Sequence, residues 1–512
     1  VRTGRNFLAS AAATAFVFGS NFLLYPYILD RLGKEAYGGV WVPIVTLSAV
    51  AGLVDLGLNQ AFLRFLSDRY AVDDRSGARH VVATGFWSYL GIGLVLLLAV
   101  APTRETIVRW IGVPGPLQAD AAFCLLIACV SLVLNGAVAP ILSLQSATGR
   151  MDRSSMAMAA SQVFGITVNI AVLESGGGVR ALALVNIATV AFTTGIHSWM
   201  SRSLFSFGSL DPREFRTAVA ASLLRYGANL QVSRLAQVLV FQVDRVFALR
   251  FFGTDSSAAY DLAARLVNAF RTLGGTFVLP LLPAFAGLSA RGETSELARL
   301  YRTSTIRLVL LCGTLFSFCL GAGPLLAEIW IGDALRPDPS LLRWLALGYW
   351  VNISTGAVSS LVAAKGATWI DRNYGLFLAV AHVPATLAAI HLFGETGIAV
   401  ATFASLTSGA ALLLFLARGV LREVRSPGMV AIVALLSSGQ LLLGALVGLA
   451  AERLGTGLGR GESAVLFVFL GCLALSGSAA LAATAVRLRW LTYEELGIAG
   501  ILSRLGASRR QS

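Results

Sequence analysis

Long apolar runs, separated by short charged segments, make up almost the whole chain. The stretches 81–101, 398–416 and 464–486 are each close to 20 residues of nearly unbroken apolar character. At 1.5 Å per residue such a helix crosses a hydrocarbon layer ~30 Å thick. The many short alternating segments of a membrane β-barrel are absent. The pattern predicts about fourteen transmembrane helices, at 7–29, 39–63, 81–101, 118–145, 155–173, 181–200, 227–250, 257–285, 304–322, 341–362, 374–392, 398–417, 429–451 and 464–486. The first run ends in Tyr25-Pro26-Tyr27 without a small-residue cleavage site, so it is expected to be a span and not a removable leader. After the last span, Trp490, Leu491, Leu496, Ile501, Leu502 and Leu505 alternate with charges, as in an amphipathic interfacial helix, with a disordered tail as the competing reading.

The same pattern repeats at an offset near 220 residues. Leu32-Gly33 followed by Tyr37 is echoed by Phe252-Gly253 followed by Tyr260. Trp110-Ile111-Gly112 returns as Trp330-Ile331-Gly332, and Ala147-Thr148-Gly149 as Ala364-Lys365-Gly366. A repeat of six spans preserves topology, so two like-oriented halves are expected around a pseudo-two-fold axis along the membrane normal. The expected organisation is therefore an N-terminal six-helix bundle at 1–210, a C-terminal six-helix bundle at 211–425, two extra helices at 426–487 and a cytoplasmic amphipathic tail at 488–512.

Polar residues within spans are costly, about 2.5–3.5 kcal/mol for a charge at a helix centre on insertion scales. The eighth span carries Asp261, Arg265, Asn268 and Thr272 along one helix side, with Arg271 beside them. The seventh carries Arg234, Gln237, Asp244 and Arg245; 234 and 245 share a face but lie near the ends, where snorkelling competes as an explanation. The first span has a stripe of Ser10, Thr14, Asn21 and Tyr25, and the second has Asp55 and Asn59 one turn apart. Spans one, two, seven and eight are repeat equivalents, so these groups are expected around a central, wet, net cationic cavity. Arg234, Arg265, Asn268, Arg271, Asn21 and Tyr25 are its candidate lining, and Asp55, Asp244 and Asp261 are candidate counter-ions or sites for a coupling H⁺ or Na⁺. The competing reading is that the same groups pair with one another and hold helices together. Guanidinium forks bind phosphate bidentately, so such a cavity suits an anionic passenger.

Composition agrees. Of 512 residues, 56% are apolar and only 13% charged, against roughly 25% charged in soluble domains. The formal charge of +13 does not indicate nucleic acid, because the basic residues punctuate the apolar runs. Those in segments sharing a side with both termini outnumber those of the opposite loops about three to one, which places both termini in the cytoplasm. Cys124, Cys129, Cys312, Cys319 and Cys472 lie in apolar runs without CxxC spacing and are expected to be small buried hydrophobes. The four histidines are scattered, and no catalytic residue, metal site or cofactor is expected. No loop is long enough for a soluble catalytic module.

Tyr25-Pro-Tyr-Ile-Leu-Asp-Arg-Leu-Gly33, continuing to Tyr37-Gly38 and Trp41, resembles the opening of Wzx-type polysaccharide flippases, as does Val54-Asp-Leu-Gly-Leu58 followed by Arg64. Arg225-Tyr226-Gly227, Asp244, Phe252-Gly253, Tyr260, Leu262-Ala-Ala-Arg265, Leu279-Pro280 and Trp330-Ile-Gly332 look like that family's second half. The resemblance implies the multidrug/oligosaccharidyl-lipid/polysaccharide exporter (MOP) fold, alternating access, and an undecaprenyl-diphosphate-linked oligosaccharide carried across the inner membrane. Partners implied are the bilayer, a polysaccharide polymerase and glycosyltransferases. Three alternatives stand beside it. A lipid II flippase shares the fold, but the basic signature associated with its first span is missing, since Arg5 precedes the span and Arg31 follows it. A multidrug exporter usually has an acid in the first helix, where here none occurs before Asp30. An integral polymerase or glycosyltransferase would display a large polar extracytoplasmic loop.

Overall fold

The computed structural model describes residues 2–51, 58–148, 150–202, 210–332, 335, 337–424, 428–455 and 460–487. Within these, the side chains of 2–11, 14, 50–51, 58–60, 71, 151, 226–237, 460 and 487 lie outside the description. The described residues are helices joined by short turns, without strands. Packing divides the chain into two compact units, Val1–Ala258 and Ala259–Ser512.

The first unit holds α1 (Arg2–Ala36), a π turn (Tyr37–Trp41), α2 (Val42–Ala51), α3 (Leu58–Ala71), α4 (Arg75–Trp110), α5 (Gln118–Ala147), α6 (Met151–Glu174), α7 (Val179–Met200), α8 (Thr217–Gln242), α9 (Asp244–Phe252) and the first turn of α10 (Thr254–Val278). α4 begins cleanly because Asp74 caps it. Its carboxylate accepts from the Gly77 N–H at 2.8 Å and from Ser76 and Arg69, and these bonds hold its pKa below the usual carboxylate value. α4 and α5 approach closely because Gly85 and Gly93 on one face Pro140 and Val133, while Gly136 on the other faces Tyr89. In a membrane, where apolar burial gives no preference for helix over lipid, such small-residue contacts supply the packing. α8 and α9 pack on α2, α3 and α4. The segment leading into α8 is pinned to α4. Trp87 Nε1 donates to the Leu210 carbonyl at 2.9 Å, the Arg216 N–H donates to Thr84 Oγ1 at 3.0 Å, and His80 Nδ1 lies 2.7 Å from the Glu214 carboxylate.

The second unit holds the rest of α10, then α11 (Leu281–Ala290), α12 (Thr294–Ile331), α13 (Pro339–Ser354), α14 (Gly356–Ala364), α15 (Thr368–Phe393), α16 (Thr396–Leu416), α17 (Arg418–Val424), α18 (Met429–Leu454) and α19 (Arg460–Arg487). The two final helices are fastened to α12. Gly313, Ser317 and Gly321, one turn apart on α12, meet Gln440, Gly444 and Gly448, one turn apart on α18. A Cβ on Gly321 would stand 2.7 Å from the Gly444 carbonyl. Gln440 is fully buried, and its Oε1 accepts from Ser317 of α12 at 3.3 Å and Ser478 of α19 at 3.2 Å.

Among the described residues, eleven helical stretches are long and apolar enough to cross a membrane, and they coincide with the third to sixth and eighth to fourteenth expected spans. The other three expected spans fall on α1, on α2 and α3, between which residues 52–57 lie outside the described residues, and on α8–α9. The repeat is written in the backbone. Gly33 and Gly253 have φ of 77° and 92°, Gly112 and Gly332 have 90° and 75°, and Gly176 and Gly394 have 80° and 61°. Each pair sits at or near a helix end, in the left-handed region that a side chain disfavours. Their offsets of 220, 220 and 218 residues follow the spacing of the sequence matches. Gly149, in the third sequence match, lies outside the described residues.

Four of the cysteines are buried as expected, but Cys472 is exposed. α19 packs on α12 and α18 with one face only, and Cys472 shares the outer face with Val465, Val468, Phe469 and Leu475. The expected tail after residue 487 lies outside the described residues.

Candidate functional site

In the first unit the polar stripe of α1 meets α6. Gln162 Nε2 donates to Asn21 Oδ1 at 2.9 Å and to Ser20 Oγ at 3.2 Å. Two turns further, the Tyr27 hydroxyl donates to the Glu174 carboxylate, and Arg31 Nη2 donates to the same oxygen at 2.5 Å. The Arg31 guanidinium also lies over the Tyr27 ring, 5.4 Å from its centroid. Tyr25 is half-buried between these two clusters along the helix. Gln162 and Glu174 were not among the expected site residues. Both lie more than 140 residues from their partners, and nothing in their local sequence points to α1.

Asp55 lies outside the described residues, and so does the side chain of Arg234. Asp244 opens α9 just after the helix breaks at Val243, and it is 1% exposed. Beside it Arg245 is also buried, with Nη1 donating to the Phe241 carbonyl and to Gln242 Oε1, both at 2.6 Å. A helix break frees carbonyls from their intrahelical partners, and Arg245 turns back to satisfy one of them. It therefore does not snorkel outward. Nearby, α2, α5 and α7 enclose a cavity of about 190 Å³ whose polar lining includes Ser48, Ser131, Asn135 and Asn186. Trp41 Nε1 and Ser131 Oγ border it without a protein partner. A buried polar group of this kind calls for water, and at ~30 Å³ per molecule the chamber takes several.

In the second unit the expected stripe on α10 is present and divides into two parts. Asp261 is fully buried, and Arg265 Nε donates to its Oδ2 at 2.7 Å, one turn along the helix. The Arg265 side chain is 15% exposed. The pair is thus mutually neutralising and largely enclosed. Beyond it, Arg271 is half-buried, with Nε donating to Asn268 Oδ1 at 2.9 Å and the guanidinium 5.8 Å from the ring centroid of Tyr349 on α13. Tyr374 of α15 lies within electrostatic reach of the same guanidinium, and its hydroxyl accepts from Asn352 Nδ2 at 3.3 Å. Asn268, Arg271, Tyr349, Asn352 and Tyr374 form one aromatic and amide-rich cluster around a cation at mid-helix. Sequence spacing identified Asn268 and Arg271 but not the three groups contributed by α13 and α15. Among the described residues no group of three or more His, Cys, Asp or Glu could hold a metal ion.

The fold is shared with solved transporters of the MOP superfamily. A multidrug resistance MATE family transporter in an inward-facing conformation superposes with a TM-score of 0.69 at 16% identity, covering 81% of this chain and 94% of that one. The lipid II flippase MurJ in an inward closed conformation gives 0.71 at 13% identity, covering 94% of this chain and 100% of that one. A MOP superfamily transporter from Pyrococcus furiosus gives 0.61 at 14% identity, over 82% of this chain and 96% of that one. Among curated proteins no sequence match is found. The model of the polysaccharide biosynthesis protein family matches residues 3–289, and the chain belongs to that family.

Proposed function

We propose that this transporter moves an oligosaccharide, joined through diphosphate to a polyprenyl lipid, across the inner membrane by alternating access of two six-helix bundles. In this reading fourteen helices cross the bilayer, both termini are cytoplasmic, and the protein acts as a carrier and not as an enzyme. Family membership supports polysaccharide biosynthesis as the setting. A lipid II flippase among the similar structures supports a lipid-borne cargo. The observation that carries the reading is Arg271, whose guanidinium is oriented by Asn268 and Tyr349 at the middle of an apolar helix. An amide and an aromatic face hold the guanidinium in a defined orientation. A diphosphate in a water-poor site would gain a bidentate, charge-assisted contact there.

Arg265, Arg234, Asn21 and Tyr25 belong to the same proposed cavity, with Asp55 and Asp244 as candidates for coupling to H⁺ or Na⁺. Asp261 is engaged by Arg265, which favours a second role for that pair as helix glue. Surface polysaccharide in a strain lacking the gene, complemented by variants, tests the reading. Arg271→Ala should abolish export at unchanged protein abundance. Normal export by both Arg271→Ala and Arg265→Ala would remove the cationic cavity.

A further inference from the structure

The second unit contains a much larger cavity that the cationic cluster does not use. It has a volume of about 930 Å³ and is enclosed by α12, α13, α14, α16, α17 and α18. Binding pockets for small ligands run to about 1,000 Å³, so this one takes a substantial apolar guest. Its walls are apolar along the length, with Val309, Leu347, Phe403 and Val433 among them. Three further wall residues, Leu414, Val430 and Leu441, are exposed at 45%, 63% and 42%, so the cavity opens sideways toward lipid.

Two charged groups belong to the lining. Arg418 and Arg422 stand together at one end, on α17, and both are exposed. The Arg418 guanidinium is held over the Phe415 ring, 4.4 Å from its centroid. On the proposed topology, with both termini cytoplasmic, this end lies on the cytoplasmic side. Depth follows from α18, which lines the cavity from Met429 to Leu441. Twelve residues at 1.5 Å each give ~18 Å, slightly more than half of a ~30 Å hydrocarbon layer. The crevice therefore spans one leaflet and stops near the midplane.

We infer that this crevice is a binding site for an anionic glycerophospholipid of the cytoplasmic leaflet. Its acyl chains lie against α12, α16 and α18, and its phosphate sits at Arg418 and Arg422. Basic groups at a helix end on the cytoplasmic face attract anionic headgroups. The depth of a single leaflet matches an acyl chain, whereas a long polyprenyl tail would overrun it. The site shares no residue with the Arg271 cluster, so the two stand or fall separately.

Native mass spectrometry of the full chain with added phosphatidylglycerol or phosphatidylcholine tests this inference. The wild type should retain one phosphatidylglycerol in preference to phosphatidylcholine. Arg418→Ala with Arg422→Ala should weaken retention at least about tenfold, given ~1 kcal/mol per basic residue near an anionic surface. Ser437→Trp, which blocks the crevice at mid-depth and leaves both arginines in place, should also release the lipid. A thermal titration of the unaltered protein provides a readout independent of the variants: phosphatidylglycerol should raise the melting temperature more than phosphatidylcholine. Equal retention by wild type and the double arginine variant would overturn the inference, as would equal effects of the two lipids. So would a polyprenyl phosphate that binds in a Ser437-dependent way where phosphatidylglycerol does not.

Discussion

Arg265 and Arg271 lie six residues apart on α10 and are held by different groups, a carboxylate for the first and an amide and a ring for the second. Arg265 has a fully buried carboxylate one turn away, and an enclosed ion pair is strongly destabilised when one partner is removed, by about 3–5 kcal/mol. Asp261→Asn should therefore lower the abundance of folded protein, while Asp261→Asn combined with Arg265→Gln should restore it, measured by fluorescence-detected size exclusion. Persistence of the defect in the double variant would mean that Asp261 has a role beyond balancing Arg265. Arg271 is positioned by an amide and a ring, and its expected failure is functional. Arg271→Lys keeps the charge but loses the planar fork, and should lower export well below wild type without lowering abundance. Full export by Arg271→Lys would mean that charge alone suffices. The residues on α10 were legible in the sequence because their three- and four-residue spacing marks one helix side. Their partners on α13 and α15 were not, because nothing in a linear pattern says which neighbouring helix supplies Tyr349 or Tyr374.

Between elements, contact depends on where side chains are missing. Gly38 lies in the π turn after α1, against the start of α10, and a Cβ there would collide with the Thr254 backbone carbonyl. Backbone cannot swing aside as a flexible side chain can. Gly38→Ala should therefore cost about 1–3 kcal/mol, the usual range for overpacking, and lower the thermal midpoint. The control is Gly91→Ala on the open side of α4, where nothing lies within 4 Å of the added methyl; it should be neutral or slightly stabilising. Gly321→Leu belongs to the same class at the α12–α18 seam and should loosen the last two helices. The positions of most spans were readable from hydropathy, since a lipid solvent requires long unbroken apolar helices. Glycine seams were not readable, because a glycine that admits a neighbouring backbone looks in sequence like one that faces lipid.

For the molecule as a whole, the repeat was the most informative feature of the sequence, and paired positive-φ glycines at 33 and 253, 112 and 332, and 176 and 394 give it a structural basis. Side-chain identity drifts between repeats, but a helix end that needs a left-handed residue keeps its glycine. The packing of α8 and α9 against α2, α3 and α4 was hidden, since the apolar faces of the spans carry no address. The proposed alternating access would make a joint demand on both units. Asn21 in the first and Asn268 in the second are each half-buried, polar and on the expected lining. In a cysteine-free background, where Cys472 must be replaced along with the four buried thiols, single cysteines at 21 and 268 should both react with a polar thiol reagent, and substrate should slow both together. Helix glue predicts the reverse. Groups that serve only to join helices stay dry in every state, so protection at both positions whichever side of the membrane is opened would leave a stable bundle without a path through it.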